Sequence, residues 1–222
     1  RKDIYPTYKQ NRHKTQTSEE VQADKMAFRQ FHELRMKVLP KFGFKNNFIQ
    51  TGLEADDLIA AITQNYNDEF IIISGDQDLY QLLTANVSMY STKSKKLVNA
   101  YSFTQEYGIM PKEWAIVKQI AGCTSDAVEG IHNVGEKTAV KFVKHDLEEH
   151  LKTYTAIVNG TDTINRNEAL VKLPFKGTIT PKIIRDEIFY VKNFIDIINK
   201  YGFQSFEYTD NFNQWVNQFN LK

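Results

Sequence analysis

Apolar side chains recur along this chain at two periods, and the periods divide it into helices and a short strand region. Ala27, Phe31, Leu34 and Val38 fall at i, i+4, i+7 and i+11, the stripe of an amphipathic helix that closes at Pro40. Thr17-Ser18-Glu19-Glu20 marks its start as a capping box, with a hydroxyl at the cap and a carboxylate three residues on. Leu58, Ile59, Ile62 and Tyr66 predict the buried side of a second helix beginning at Glu54. Phe70-Ile71-Ile72-Ile73, stopped by Ser74-Gly75, predicts a strand covered on both faces, as in a parallel sheet. Helical potential resumes from Asp78 to Leu83. Val87–Tyr90 and Lys96–Asn99 predict a hairpin about Thr92-Lys93-Ser94-Lys95. Pro111 suits a first helical position and Gly122 the stop after Ala121. Residues 127–145 predict two short helices about a tight turn, and from Asp146 the pattern is helical with breaks near 159–167 and 176–180. Alternating helix and buried strand predicts an α/β fold. One strand makes a poor parallel sheet and residues 1–16 supply no other, so either the chain begins inside its fold, which the absent initiator Met favours, or further strands escape the pattern.

The longest aliphatic or aromatic run, Phe70 to Ile73, is far below the roughly 20 residues of a membrane span. The charged start Arg1-Lys2-Asp3-Ile4 precedes no apolar core, so it is not a signal peptide. Cys123, the one cysteine, excludes an intrachain disulfide and fits a reducing compartment. A soluble cytoplasmic protein with no membrane partner is expected. Net charge of +1 is uninformative, but its distribution is not. Arg1, Lys2, Lys9, Arg12 and Lys14 face only Asp3 in the first fourteen residues. Between Lys45 and Lys93 there is no Lys or Arg, while Glu54, Asp56, Asp57, Asp68, Glu69, Asp76 and Asp78 all lie there. A basic arm beside an acidic pocket suits a metal enzyme that handles polyanions. A solvated acidic face with a ragged basic terminus fits the charges equally well.

On a helix Glu54 and Asp57 share a face, with Asp56 about 100° round from Asp57. Asp76 and Asp78 directly follow the buried strand, where ligands of open α/β sheets collect. Carboxylates converging without cations repel one another unless a hard cation neutralises them. Oxygen-only clusters suit Mg²⁺ or Mn²⁺, and two such ions can clamp the attacking and leaving oxygens of a phosphodiester. Each cluster alone is more often a helix cap or a turn.

Together they carry a resemblance. Gly52-Leu53-Glu54-Ala55-Asp56-Asp57 is similar to the G-x-E-A-D-D signature of the 5′-nuclease family, which comprises flap endonucleases, bacteriophage 5′–3′ exonucleases and the 5′-nuclease domain of bacterial DNA polymerase I. Ser74-Gly75-Asp76-Gln77-Asp78-Leu79 resembles its S-x-D-x-D-L motif, and Tyr5-Pro6-Thr7-Tyr8-Lys9-Gln10-Asn11-Arg12 its Y-P-x-Y-K-x-N-R segment. Gly122 through Ala139 follows G-D-x-S-D-N-I-P-G-V-x-G-I-G-x-K-T-A in order and spacing, with substitutions. Lys200 to Phe206 resembles the end of that domain more weakly.

The resemblance implies a mostly parallel central sheet flanked by helices, a PIN-like core, with a helical arch and a C-terminal helix–hairpin–helix subdomain. Residues 1–110 would form the nuclease core, N-terminally incomplete, with arch helices over about 1–40. Residues 111–222 would form the helix–hairpin–helix part and C-terminal helices. Glu54, Asp56 and Asp57 would bind a first metal ion, Asp76 and Asp78 would lie between two ions, and Asp126 would belong to the second. Lys9 and Arg12 would contact the scissile phosphate and offset its charge, and Tyr8 would stack on a base. The implied activity is Mg²⁺- or Mn²⁺-dependent 5′–3′ exonuclease and flap endonuclease action by a monomer on flap, branched or 5′-ended DNA.

There are departures from the pattern. The family's carboxylate after Gly122 is Cys123, and a usual Asn is Ala127. A thiol is a poor Mg²⁺ ligand, so the second site is expected to be weakened. Cys123 as a small buried residue without a ligand role is the plainer reading. The family's first strand, with its metal-binding Asp, and a second Asp belong upstream of Arg1, and their absence would impair hydrolysis. Val128 to Ala139 has a helix–hairpin–helix layout about Asn133-Val134-Gly135, in which Gly130, Gly135, Lys137 and Thr138 would approach backbone phosphates. The resemblance implies K⁺ at that hairpin. His145 and His150, five apart, do not form a same-face zinc pair, and there is no phosphate-binding Gly-x-x-x-x-Gly-Lys loop. Two other readings stay open: a non-catalytic module that binds branched DNA, and a metal-dependent ribonuclease.

Overall fold

The structure, a computed structural model, describes residues 1–13, 17–206 and 209–219. Lys14 of the basic arm lies outside them. In chain order the described residues form α1 (Ser18–Glu33), α2 (Leu39–Phe42), α3 (Ala55–Asn65), β1 (Phe70–Ser74), β2 (Val87–Ser91), β3 (Lys96–Val98), α4 (Ala100–Tyr107) and α5 (Trp114–Ala121). They continue through β4 (Gly122–Cys123), β5 (Val128–Glu129), α6 (Glu136–Val143), α7 (Lys152–Asn159), α8 (Thr161–Val171), α9 (Val191–Tyr201) and α10 (Thr209–Gln218). The class is α/β, as the alternation predicts. The chain divides into two compact units, Arg1–Lys14 with Ile49–Pro181, and Thr15–Phe48 with Lys182–Lys222.

In the first unit, β1 pairs parallel to β2, with Phe70 beside Val87 and Ser74 beside Ser91, and β2 pairs antiparallel to β3. The expected hairpin is therefore present, and the sheet combines both kinds of pairing. Phe103, Trp114, Leu79 and the β2 residue Met89 are fully buried in its core, with the rings of Tyr80, Phe103, Tyr107 and Trp114 in edge, stacked or tilted contact. Asn99 caps α4 through Ser102, a helix the apolar spacing does not announce because Phe103 is its only buried side chain. The strand expected to be covered on both faces is covered on one. Ile72 is buried while Ile71 and Ile73 are 65% and 72% exposed, so the unbroken apolar run does not mean two buried faces here.

Two helical expectations shift. Residues 127–145 hold α6 alone, and its partner helix is α5, upstream. Gly122 at φ +76 and Ala127 at φ +55 break helical geometry, and β4 and β5 form a short antiparallel pair between the two helices. The break expected near 159–167 narrows to Gly160, because α8 begins at Thr161. Its Asn and Thr residues read as loop formers, but burial of Asn167, Leu170 and Val171 overrides propensity. Asn167 donates to the carbonyls of Gln119 and Glu129 and so ties α8 to α5 and β5.

The second unit contains α1, α2, α9 and α10. Thr17 caps α1 with both capping-box bonds in place, from Glu20 N to Thr17 Oγ1 and from Thr17 N to Glu20 Oε2. The helix does not close at Pro40. Residues 34–38 widen into a π-helical turn, in which Leu39 N donates to Leu34 O, and Pro40 then sits in the first turn of α2. A proline there needs no N–H partner, and the widened turn delivers it without a clash. Gly43 at φ +115 ends the run. Among the stripe residues Val38 is buried, whereas Phe31 is 65% exposed. Phe194 stacks on Trp215 and packs against Phe42 to form the apolar centre of this unit. Among the described residues no helix is long and apolar enough to cross a membrane.

The β4–β5 pair depends on two glycines. A Cβ on Gly130 would overlap the Ala121 carbonyl group and Gly122 N, and one on Gly122 would overlap Gly130 N and Val128 O. Gly130 is thus a packing residue, and its expected contact with DNA is not needed to explain it. Gly130→Ala should lower stability by about 2–4 kcal/mol, read as the denaturant midpoint, with little change in slope. An unchanged midpoint would show that the backbone can part here without cost.

Candidate metal centre

Three chain segments bring acids together in the first unit. Asp56 and Asp57 occupy the first turn of α3, where the helix N-terminus favours negative charge, and Glu54 is its cap residue. Asp76 and Asp78 follow the carboxyl end of β1, where Asp76 accepts from Asp78 N and opens a 3₁₀ turn. Cys123 ends β4, and Asp126 lies in the turn that leads to β5. That turn stays tight because Ala127 takes a left-handed φ and Asn11 holds the carbonyls of Thr124 and Ser125.

Cations absent from residues 46–92 reach the acids from elsewhere. The Arg1 guanidinium bonds both oxygens of Asp57 at 2.7 and 2.8 Å. Lys9 Nζ lies 2.6 Å from Glu54 and 3.5 Å from Asp126, and Arg12 lies 2.7 Å from Asp126. Lys9 holds φ +58, a strained value for a lysine, with its N–H bonded to the Asp126 carbonyl. Lys118 of α5, buried, bridges Asp78 at 3.2 Å and Glu136 at 2.6 Å.

The expected site residues therefore separate. Asp57 is fully buried and accepts from Arg1 twice, from Glu54 N and from Phe175 N. Burial opposes its ionisation, but the Arg1 pair and the two amides prevail and hold it below the usual carboxylate range. No oxygen lone pair is left for an ion, so Asp57 is a structural anchor rather than the metal ligand expected. Asp56 is the opposite case. Burial, then the charges of Asp76 and Glu54, push it up to about 6, with Lys9 only partly offsetting them. Burial also raises Asp78 despite Lys118. Glu54, Asp56, Asp76, Asp78 and Asp126 thus keep a surplus of negative charge that a divalent cation fits.

Tyr8, expected to stack on a base, is buried, and its hydroxyl donates towards Asp126 at 3.0 Å and Glu54 at 3.3 Å. Burial beside these acids raises its pKa. It buttresses the acids and offers no ring face to a ligand. Lys9 and Arg12 lie on the acid cluster itself rather than along a free arm. Gly135, Lys137 and Thr138 sit at the start of α6, with Gly135 and Lys137 exposed and Asn133 in the left-handed conformation the hairpin turn requires. Sequence reasoning missed Lys118. Its signal was a lone cation among the mostly apolar residues of Trp114–Ala121. It also missed the pairing of Arg1 with Asp57, which a separation of 56 positions conceals.

Residues 1–108 match the family model for the 5′-3′ exonuclease N-terminal resolvase-like domain. That part of the chain, just under half of it, is therefore similar to the 5′-nuclease family. A 5′-3′ exonuclease of Buchnera aphidicola subsp. Schizaphis graminum is 28% identical over 180 residues, which span 80% of this chain and 55% of that protein. A T5 5′-exonuclease solved with bound zinc superposes with TM-score 0.67 at 25% identity, over 78% of this chain and 69% of that one. A T5 D15 flap endonuclease in a pseudo-enzyme-product complex with DNA and metal ions superposes with TM-score 0.68 at 24% identity, again over 78% and 69%.

In this chain the Arg1–Asp57 pair should be a large contributor to stability. Asp57→Ala leaves a buried guanidinium uncompensated and should cost about 3–5 kcal/mol in a chemical denaturation curve. A cost under about 1 kcal/mol would mean that the pair is not needed. Asp56 has the reverse sign. Its carboxyl binds a proton more tightly folded than unfolded, so stability is lost as pH rises from about 4 through about 6. Asp56→Asn should stabilise the metal-free protein by about 1–2 kcal/mol above pH 6, after allowance for solvent screening, and by little near pH 4. Melting curves at both pH values measure the difference, and an equal effect at each would remove the assignment.

Proposed function

We propose that this chain provides the divalent-metal-dependent site of a 5′–3′ exonuclease and structure-specific flap endonuclease acting on DNA. The convergence of Glu54, Asp56, Asp76, Asp78 and Asp126 beside Lys9 and Arg12 at the carboxyl end of β1 carries the reading. Asp56, Asp76 and Asp78 would hold one of two ions, with Glu54 turned towards it, and Asp78 with Asp126 the second. Mg²⁺ or Mn²⁺ would supply Lewis-acid activation of water and charge neutralisation at the leaving 3′ oxygen.

The chain's own residues have separate duties. Lys9 and Arg12 already lie against carboxylates and are placed to exchange them for the oxygens of a phosphodiester. Tyr8, pinned between Glu54 and Asp126, keeps those acids apart and oriented. Residues 1–110, joined by Asp126, would form the nuclease part and the remainder of 111–222 the duplex-holding part, with Gly135, Lys137 and Thr138 of the hairpin gripping phosphates and K⁺ bound there. The Thr17–Pro40 segment would serve as the arch. The protein would act as a monomer.

A fluorescent 5′-flap duplex tests the proposal. Cleavage should require a divalent ion, and Asp76→Asn with Asp78→Asn should reduce it about a hundredfold or more while flap binding persists. Chelator-insensitive cleavage, or full activity in the double variant, would overturn it. A second reading, a branched-DNA-binding module without hydrolysis, is favoured by the cations already seated on Glu54 and Asp126. It predicts binding that survives chelation, with no cleavage at any metal concentration.

A further inference from the structure

Cys123 puts a soft donor into a site otherwise built of oxygen. Asp78, Cys123 and Asp126 each offer one ligand atom, and all three atoms lie within 4.8 Å of one another. Cys123 Sγ is 3.6 Å from Asp78 Oδ2. In a tetrahedral zinc site, with bonds of about 2.3 Å to sulfur and about 2.0 Å to oxygen, a sulfur and an oxygen ligand stand about 3.5 Å apart. Neighbouring oxygens about an octahedral magnesium ion stand closer, at about 3.0 Å.

The oxygens available here are also few for magnesium. Asp126 Oδ1 is engaged by Arg12, its Oδ2 by Tyr8 and Lys9, and Asp78 Oδ1 by Lys118. An ion that demands near-octahedral oxygen coordination would have to displace several of these partners or rely on water. A four-coordinate ion needs fewer: the sulfur, Asp78 Oδ2, one Asp126 oxygen released by Arg12 or by Tyr8 and Lys9, and one further ligand. Thiolate ligands select zinc and similar ions over magnesium.

We propose that Asp78, Cys123 and Asp126 form a three-donor site selective for a thiophilic divalent ion, zinc in the first place, at the position where the family pattern has a further carboxylate. The inference rests on reading this cluster as a divalent-metal centre and makes one of its two ions chemically unlike the other. On binding, the Sγ–H bond breaks, the proton leaves to solvent and the sulfur donates its electron pair to the ion. Nothing is oxidised. Ser125 Oγ, 3.0 Å from Sγ, is placed to donate a hydrogen bond to the resulting thiolate and orient it.

Cobalt(II) added to the full chain without DNA serves as the probe, because a cobalt–thiolate bond gives a near-ultraviolet charge-transfer band. The band should grow to saturation at one equivalent, vanish on stoichiometric zinc, and persist when magnesium is added in large excess. Cys123→Ser should abolish the band and weaken zinc binding, measured by calorimetry, at least about tenfold. Cys123→Asp should shift preference towards magnesium. Melting curves of the metal-free variants check that each is folded. Cobalt binding without a thiolate band, or equal zinc affinity in wild type and Cys123→Ser, overturns this inference and leaves the metal-centre reading standing. Absence of any divalent-ion binding overturns both.

Discussion

Mutual repulsion among carboxylates is the constraint on which the first unit depends. Two unit charges about 4 Å apart interact by about 4 kcal/mol at the effective dielectric of a protein surface, comparable to much of a domain's net stability. Glu54, Asp56, Asp57, Asp76, Asp78 and Asp126 are nonetheless gathered at one end of the sheet. The fold tolerates this because Arg1, Lys9, Arg12 and Lys118 arrive from the N-terminal arm and from α5. The compensation is uneven. Asp57 is matched fully and becomes structural, whereas Asp56 is left short of positive charge and stays protonated to unusually high pH.

That unevenness separates scaffold from chemistry more sharply than the motifs do. Two adjacent aspartates on α3 look equivalent in the sequence, yet a turn of about 100° sends one into the Arg1 guanidinium and the other towards Asp76 and Asp78. Lys118 joins the two halves of the proposed machinery physically. Its ammonium group touches an acid of the cluster on one side and the first residue of α6 on the other.

Local signals are legible in the chain wherever their cause is local. Thr17 and Glu20 fix a helix start by bonds three residues apart, and Thr92 to Lys95 join two strands whose register follows directly. The placement of Asp56 at a helix start and of Asp76 and Asp78 at a strand end is also legible. What failed was whatever depended on distant partners. Tyr8 reads as an exposed ring until Asp126, 118 positions on, claims its hydroxyl. Ile71 and Ile73 read as core because a run of β-branched residues carries no record of how many faces are covered. Loop-like Asn167 is helical because two remote carbonyls need its amide.

Gly122 and Gly130 also bear on how this chain can vary. A tight contact between a large and a small residue can be preserved when both change, one shrinking as the other grows. Here both partners already lack a side chain and meet backbone to backbone. Reciprocal substitution is closed to them, so drift around the Cys123–Asp126 turn is confined to the residues between the two glycines, among them the very donors that set which ion the turn can hold.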